Sequence, residues 1–296
     1  MEQVVNENTK VELTEQKPKK KIWKGILFSI LALIAAFCIQ ALVSFPMTTI
    51  LMAQCTAEVG GDVEAAKALY MERALGTDFT TNLLLTLTLG YGLVMLLWYK
   101  LAFVKKYTAE NKKIFKENVL NGKVIVSLVI AAVGCYCLDV LVANIVALIS
   151  PSALETFNAT MASTTSGNEV VSFLTIVIAA PIAEELLFRG IIFSMLRKHW
   201  SDVAAIIVSA LLFGLYHMNL MQAIYVLPIG LLLGYTAYKC KSVLPCILIH
   251  MVNNFMPTLV GMLPEACQSM VVIVIGFVIC AAVLFFLWKK PNKIVE

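Results

Sequence analysis

The chain has 296 residues, of which 60% are hydrophobic and only 14% charged, with a mean hydropathy of +0.85 and a formal net charge of +4. A soluble domain carries about 45–50% apolar and about 25% charged residues, so this composition excludes an ordinary soluble protein. Long unbroken apolar runs, in place of short alternating segments, also exclude a membrane β-barrel and leave an all-α, polytopic transmembrane bundle.

Residues 1–24 are polar and end in KPKKKIWK, a solvated basic tail. The run 25–44 has about the 20 residues of a spanning helix and is too long for the apolar core of a cleaved signal peptide, so an uncleaved first span is expected. A long outside loop, 45–81, follows; its DVEAAKALYMERAL segment reads as a surface helix. Further apolar runs lie at 82–104, 124–149, 170–196, 203–217, 221–238, 243–260 and 270–288, which makes about eight spans. The segment 150–169 is rich in small polar residues and reads as a loop. Gly230 and Gly234 form a GxxxG pair, a surface for close helix packing.

Lysine and arginine concentrate on one side of this layout. The tail, then Lys105, Lys106, Lys112, Lys113, Lys116 and Lys123, then Arg197 and Lys198, Lys239 and Lys241, and finally Lys289, Lys290 and Lys293 alternate correctly with nearly bare opposite loops. The positive-inside rule therefore puts both termini in the cytoplasm. Trp23, Trp98, Trp200 and Trp288 fall near the same cytoplasmic ends, as an interfacial belt would. Eight cysteines are scattered with no CxxC pair. Cys135 and Cys137 point to different faces and cannot share an ion. Cys55 and Cys267 both fall in outside loops, where a disulfide is feasible, although free thiols packed as small hydrophobes are the favoured reading.

An ionisable side chain at the bilayer centre costs about 2.5–3.5 kcal/mol, so such residues normally mark a functional path. Three spans carry them: Glu184, Glu185 and Arg189; His217; and His250, Asn253 and Asn254. Counting from the cytoplasmic helix ends at about 1.5 Å per residue, Glu184, His217, His250 and Asn254 lie at depths of about 20, 23, 14 and 20 Å. That is one layer, near mid-bilayer. Glu185 and Arg189 are i, i+4 in the orientation that favours an ion pair, and a structural pair is the preferred reading. Glu184 lies about 100° round the helix and is left free to act as a base. His250 and Asn254 share a face, fit to polarise a substrate carbonyl or, with His217, to bind a metal. Asn253 reads as an incidental neighbour and Asp139 as a buried helix contact.

The set EExxxR (Glu184, Glu185, Arg189), FxxxH (Phe213, His217) and HxxxN (His250, Asn254), in this order on successive spans, resembles the CAAX-protease and bacteriocin-processing family of intramembrane proteases, which are type II CAAX prenyl endopeptidase-like. The resemblance covers about residues 170–258; the first three spans and the last carry no specific match. It implies a catalytic constellation of Glu184, Glu185, Arg189, His217, His250 and Asn254, with Glu184 activating a water. It leaves two mechanisms open. Either His217 and His250, with Glu184 and Asn254, hold a zinc ion, or the site works metal-free. The substrates it implies are membrane-associated or lipidated proteins and peptides, prenylated or of the bacteriocin-leader type, in contact with membrane lipid and without nucleic acid. In a bacterium the location would be the cell membrane.

The chain thus divides into a basic tail (1–24), N-terminal helices (25–169), a catalytic core (170–258) and a last span with its tail (259–296). Two other functions compete with proteolysis. An ion-coupled transporter also uses mid-membrane carboxylates and histidines, but no repeated half is visible. A non-catalytic scaffold or bacteriocin-immunity protein would keep the fold without needing every motif residue.

Overall fold

The computed structural model describes residues 22–103, 117, 119, 121–165 and 167–288. The tail residues 1–21, the lysines at 105, 106, 112, 113 and 116, and those at 289, 290 and 293 lie outside the described residues, as does the Trp288 side chain. Every element among the described residues is helical: α1 Ile22–Glu58, α2 Val63–Ala74, α3 Thr77–Ala102, α4 Gly122–Ile149, α5 Pro151–Thr165, α6 Glu169–His199, α7 Asp202–Tyr216, α8 Leu220–Tyr225, α9 Leu227–Cys240, α10 Leu244–Gly261 and α11 Met270–Trp288, with a 3-10 turn at Glu265–Gln268. Five of these, α1, α3, α4, α6 and α10, are long and apolar enough to cross a membrane. The chain is a multi-pass integral membrane protein.

Several boundaries differ from the sequence expectation. The first helix does not stop at Ser44 but runs through Pro46 to Glu58, so residues 45–58 are not loop. The segment 150–169 is not a loop either, because Pro151–Thr165 is helical. Its threonines satisfy themselves locally, each hydroxyl of Thr156, Thr160, Thr164 and Thr165 donating to the carbonyl four residues back. The run 221–238 is two helices, α8 and α9. Pro228, which lacks an N–H, sits in the first turn of α9, where no donor is needed, and so favours a fresh start there. The surface helix expected within 45–81 is present as α2. Asp62 caps it, accepting from the N–H groups of Glu64 and Ala65 at 3.0 Å. Gly60 and Gly61 take positive φ to make the turn before it. Cys55 is buried in α1 and Cys267 is exposed, both as free thiols.

The core is built around α6. Leu186 to Ile192 are all buried, which makes this helix a central post with α1, α3, α7, α9 and α10 around it. Small residues set the distances. Gly25, Ser29, Ala32 and Ala36 form a buried stripe along α1; Gly25 lets it meet Trp200 beyond the end of α6. Gly230 and Gly234 of α9 face Ala210 and Ile206 of α7. Gly214 is tighter than these: a Cβ there would lie 2.5 Å from the Ala223 carbonyl oxygen. Gly214→Ala should therefore force α7 from α8 and cost about 1–3 kcal/mol by overpacking. Thermal unfolding in detergent would show it as a lowered midpoint. Gly122→Ala, with no described residue within 4 Å of the added Cβ, is the comparison expected to stay unchanged.

Candidate active site

The active-site candidates converge because α6, α7 and α10 meet around one cavity of about 780 Å³, lined by Glu184, His217, His250 and Asn254 among others. The residues that the sequence count puts in one layer thus line a single cavity. Glu185 and Arg189 lie behind this wall, fully buried.

Glu185 and Arg189 are one helical turn apart, and the guanidinium Nη1 donates to Glu185 Oε1 at 2.9 Å. Arg189 Nη2 donates to the Gly230 carbonyl at 2.9 Å, tying α6 to α9. The guanidinium also stacks over the Phe213 ring, 4.7 Å from its centroid. The same Glu185 Oε1 lies 2.9 Å from His250 Nδ1. An ionised carboxylate only accepts, so Nδ1 carries the proton and Nε2 is left bare in the neutral ring. That nitrogen lies 3.8 Å from Glu184 Oε2, too far for a direct bond. Glu184 keeps 17% side-chain exposure where Glu185 has none. The two adjacent carboxylates thus have different surroundings: Glu185 is locked between Arg189 and His250, and Glu184 opens on the cavity.

His217 caps the end of α7, and its Nδ1 donates to the Phe213 carbonyl at 2.9 Å, leaving Nε2 as the available nitrogen. Phe213 packs edge-on against both imidazoles, with centroids 4.9 Å from His217 and 5.6 Å from His250. Asn254 has a local backbone reason to be where it is. Residues 174–179 of α6 follow a π-helical register, in which the Ala180 N–H bonds to Thr175, five residues back. The next donor in that register would be Pro181, which has no N–H. The Ile176 carbonyl this leaves free is taken by Asn254 Nδ2 at 2.9 Å.

Among the described residues no three His, Cys, Asp or Glu side chains converge at metal-ligand spacing. A catalytic zinc needs three protein ligands and an open position. Glu185 and the Phe213 carbonyl hold the two Nδ1 atoms and leave both Nε2 atoms free, as zinc-binding histidines present them. Among the described residues, however, no third ligand joins His217 and His250 at that spacing, so the zinc reading lacks the set it needs.

Sequence reasoning missed part of the wall. Gln40 of α1 donates to the Tyr216 hydroxyl at 2.6 Å, and Tyr91 of α3 donates to the Ala183 carbonyl at 3.1 Å. All three line the cavity. A lone amide in the apolar first span was the available signal for Gln40; nothing marked the tyrosines. Asn253 is not incidental: its Nδ2 lies 3.4 Å from Asp139 Oδ2, and both residues line the same cavity. No curated protein and no solved structure matches the chain. The stretch that supplies Glu184, Glu185, Arg189, His217, His250 and Asn254, residues 166–256 and less than a third of the chain, matches the family model described as type II CAAX prenyl endopeptidase Rce1-like.

Proposed function

We propose that the protein is an intramembrane endopeptidase that cleaves membrane-associated or lipidated proteins and peptides with a water activated by Glu184. The observation that carries this reading is the 3.8 Å gap between Glu184 Oε2 and His250 Nε2 at the cavity wall. Two acceptors at that separation can hold one water between them, each taking one of its hydrogens. The water's lone pairs are then free for a substrate carbonyl.

Hydrolysis on this plan proceeds in two proton steps. Glu184 takes a proton as the water oxygen attacks the carbonyl carbon, and returns it to the departing amine as the C–N bond breaks. Developing charge on the carbonyl oxygen needs a donor. An amide nitrogen carries two hydrogens, and Asn254 uses one on Ile176, so the second is available. His217 Nε2 serves as a further acceptor for substrate or water. Glu185 and Arg189 do not touch substrate on this reading; they position His250. The basic residues on alternate connections support a cytoplasmic side for both termini.

Purified protein in liposomes, incubated with peptides derived from a membrane proteome, tests the activity. New peptide termini detected by mass spectrometry, absent from protein-free liposomes, are the expected result. A termini profile identical to the protein-free control across a range of prenylated and unmodified peptides would count against an endopeptidase.

A further inference from the structure

The cavity has a second polar wall that the chemistry above does not use. Asp139, in the middle of α4, is 4% exposed, yet it sits among the cavity-lining residues. Its Oδ2 is met by Asn253 Nδ2 at the long distance of 3.4 Å, and the backbone N–H of Ile229, in the first turn of α9, also faces the carboxylate. Among the described residues Oδ1 has no hydrogen-bond partner, and neither does the side-chain oxygen of Asn253. Two buried acceptors, on residues in contact with each other, thus lack donors among the described residues, and each such atom is costly to leave unsatisfied.

The charge balance says what kind of donor is missing. Among the described residues lining the cavity there are two carboxylates, Asp139 and Glu184, and no lysine or arginine. Arg189 is taken up behind the wall by Glu185 and the Gly230 carbonyl. Buried carboxylates in proteins are paired or neutralised, because desolvating an isolated charge is expensive. A group that brings N–H donors and a positive charge would satisfy Asp139 Oδ1 and the Asn253 oxygen together. It would also enter a low-dielectric space where the attraction is weakly screened.

We propose that Asp139 and Asn253 form a subsite for a cationic side chain, lysine or arginine, of the peptide that occupies the cavity, set apart from the hydrolytic wall of Glu184 and His250. This rests on the reading of the cavity as a peptide-binding site. The subsite selects which peptides bind by reading one basic residue near the scissile bond. The apolar remainder of the cavity accepts the flanking side chains. Phe157 and Met161 of α5, which also line it, form part of that apolar surface.

The test measures binding, so it does not depend on turnover. Protein carrying Glu184→Gln is placed in nanodiscs of zwitterionic lipid. It is titrated with a fluorescent ten-residue apolar peptide in which lysine, or uncharged norleucine, occupies each position in turn. One position, or two adjacent ones, should bind about tenfold tighter with lysine, the scale of a charge-assisted hydrogen bond. Adding Asp139→Asn should bring that ratio close to one. Asn253→Ala should lower it about threefold, and it reads the same ratio if the Asp139 variant fails to fold. A lysine advantage below twofold at every position, or one that survives Asp139→Asn, would overturn the subsite. Cleavage of the same peptides by the unsubstituted protein is scored separately. Lysine preference without cleavage would sink the endopeptidase reading and leave the subsite standing.

Discussion

Glu184→Gln should abolish peptide cleavage while leaving the fold intact. The exchange keeps the shape of the side chain and removes only its capacity to take a proton. General acid–base catalysis by one positioned group is worth about 10²–10⁴-fold in rate, and Glu184 is asked to act both as base and as acid. A fall in kcat of at least 10³-fold on a defined peptide is therefore expected, with an unfolding midpoint close to that of the unsubstituted protein. Partial exposure of Glu184 at the cavity, against complete burial of Glu185, is the reason for choosing it over its neighbour. Turnover within threefold of the unsubstituted rate would remove Glu184 from the chemistry and with it the water-activation scheme.

The second large effect belongs to Arg189 and concerns stability. Arg189→Leu would leave the Glu185 carboxylate, at zero exposure, without its counter-charge and remove the side-chain donor from the Gly230 carbonyl. Breaking a buried ion pair by removing one partner costs about 3–5 kcal/mol. Thermal unfolding in detergent should show a large drop in midpoint. Arg189→Lys, which keeps the charge but has no planar fork to reach both Glu185 and Gly230, should fall between the two. The informative variant is the double one. Replacing a whole buried pair by apolar residues is often neutral, so Glu185→Leu with Arg189→Leu should recover much of the stability. It should not recover cleavage, because His250 Nδ1 loses the acceptor that orients the ring. Recovery of both would show that the pair holds the bundle together and does nothing for the histidine. The network is not tuned for stability alone, since Glu185 Oε2 and Arg189 Nε are buried without partners among the described residues.

How far the site could be read from the chain depends on the range of each interaction. The Glu185–Arg189 pair is local: i, i+4 spacing on a helix puts the two groups within reach whatever surrounds them. The shared depth of Glu184, His217 and Asn254 was also accessible, because a membrane supplies a common reference plane and the helical rise converts residue counts to depth. The count puts His250 about a turn shallower than the others, yet its side chain meets Glu185 directly. Counting from a presumed helix end cannot see how far one helix slides along another.

The chain by itself determined the class of molecule and the inventory of its chemistry. Apolar runs of spanning length leave helices as the only way to satisfy the backbone in lipid, and the few ionisable residues inside those runs are the candidates for function. Only the tertiary structure decided the pairings. It gave the second bond of Glu185 to His250, sent Asn254 to the carbonyl that Pro181 leaves open, drew Gln40 from the first helix onto Tyr216, and set Asn253 beside Asp139. Each of these joins residues on different helices, and their partners are fixed by helix rotation, slide and close approach. Those quantities follow from packing small residues such as Gly214, Gly230 and Gly234 against their neighbours; the GxxxG spacing marks a surface of close approach, but it does not say which helix meets it.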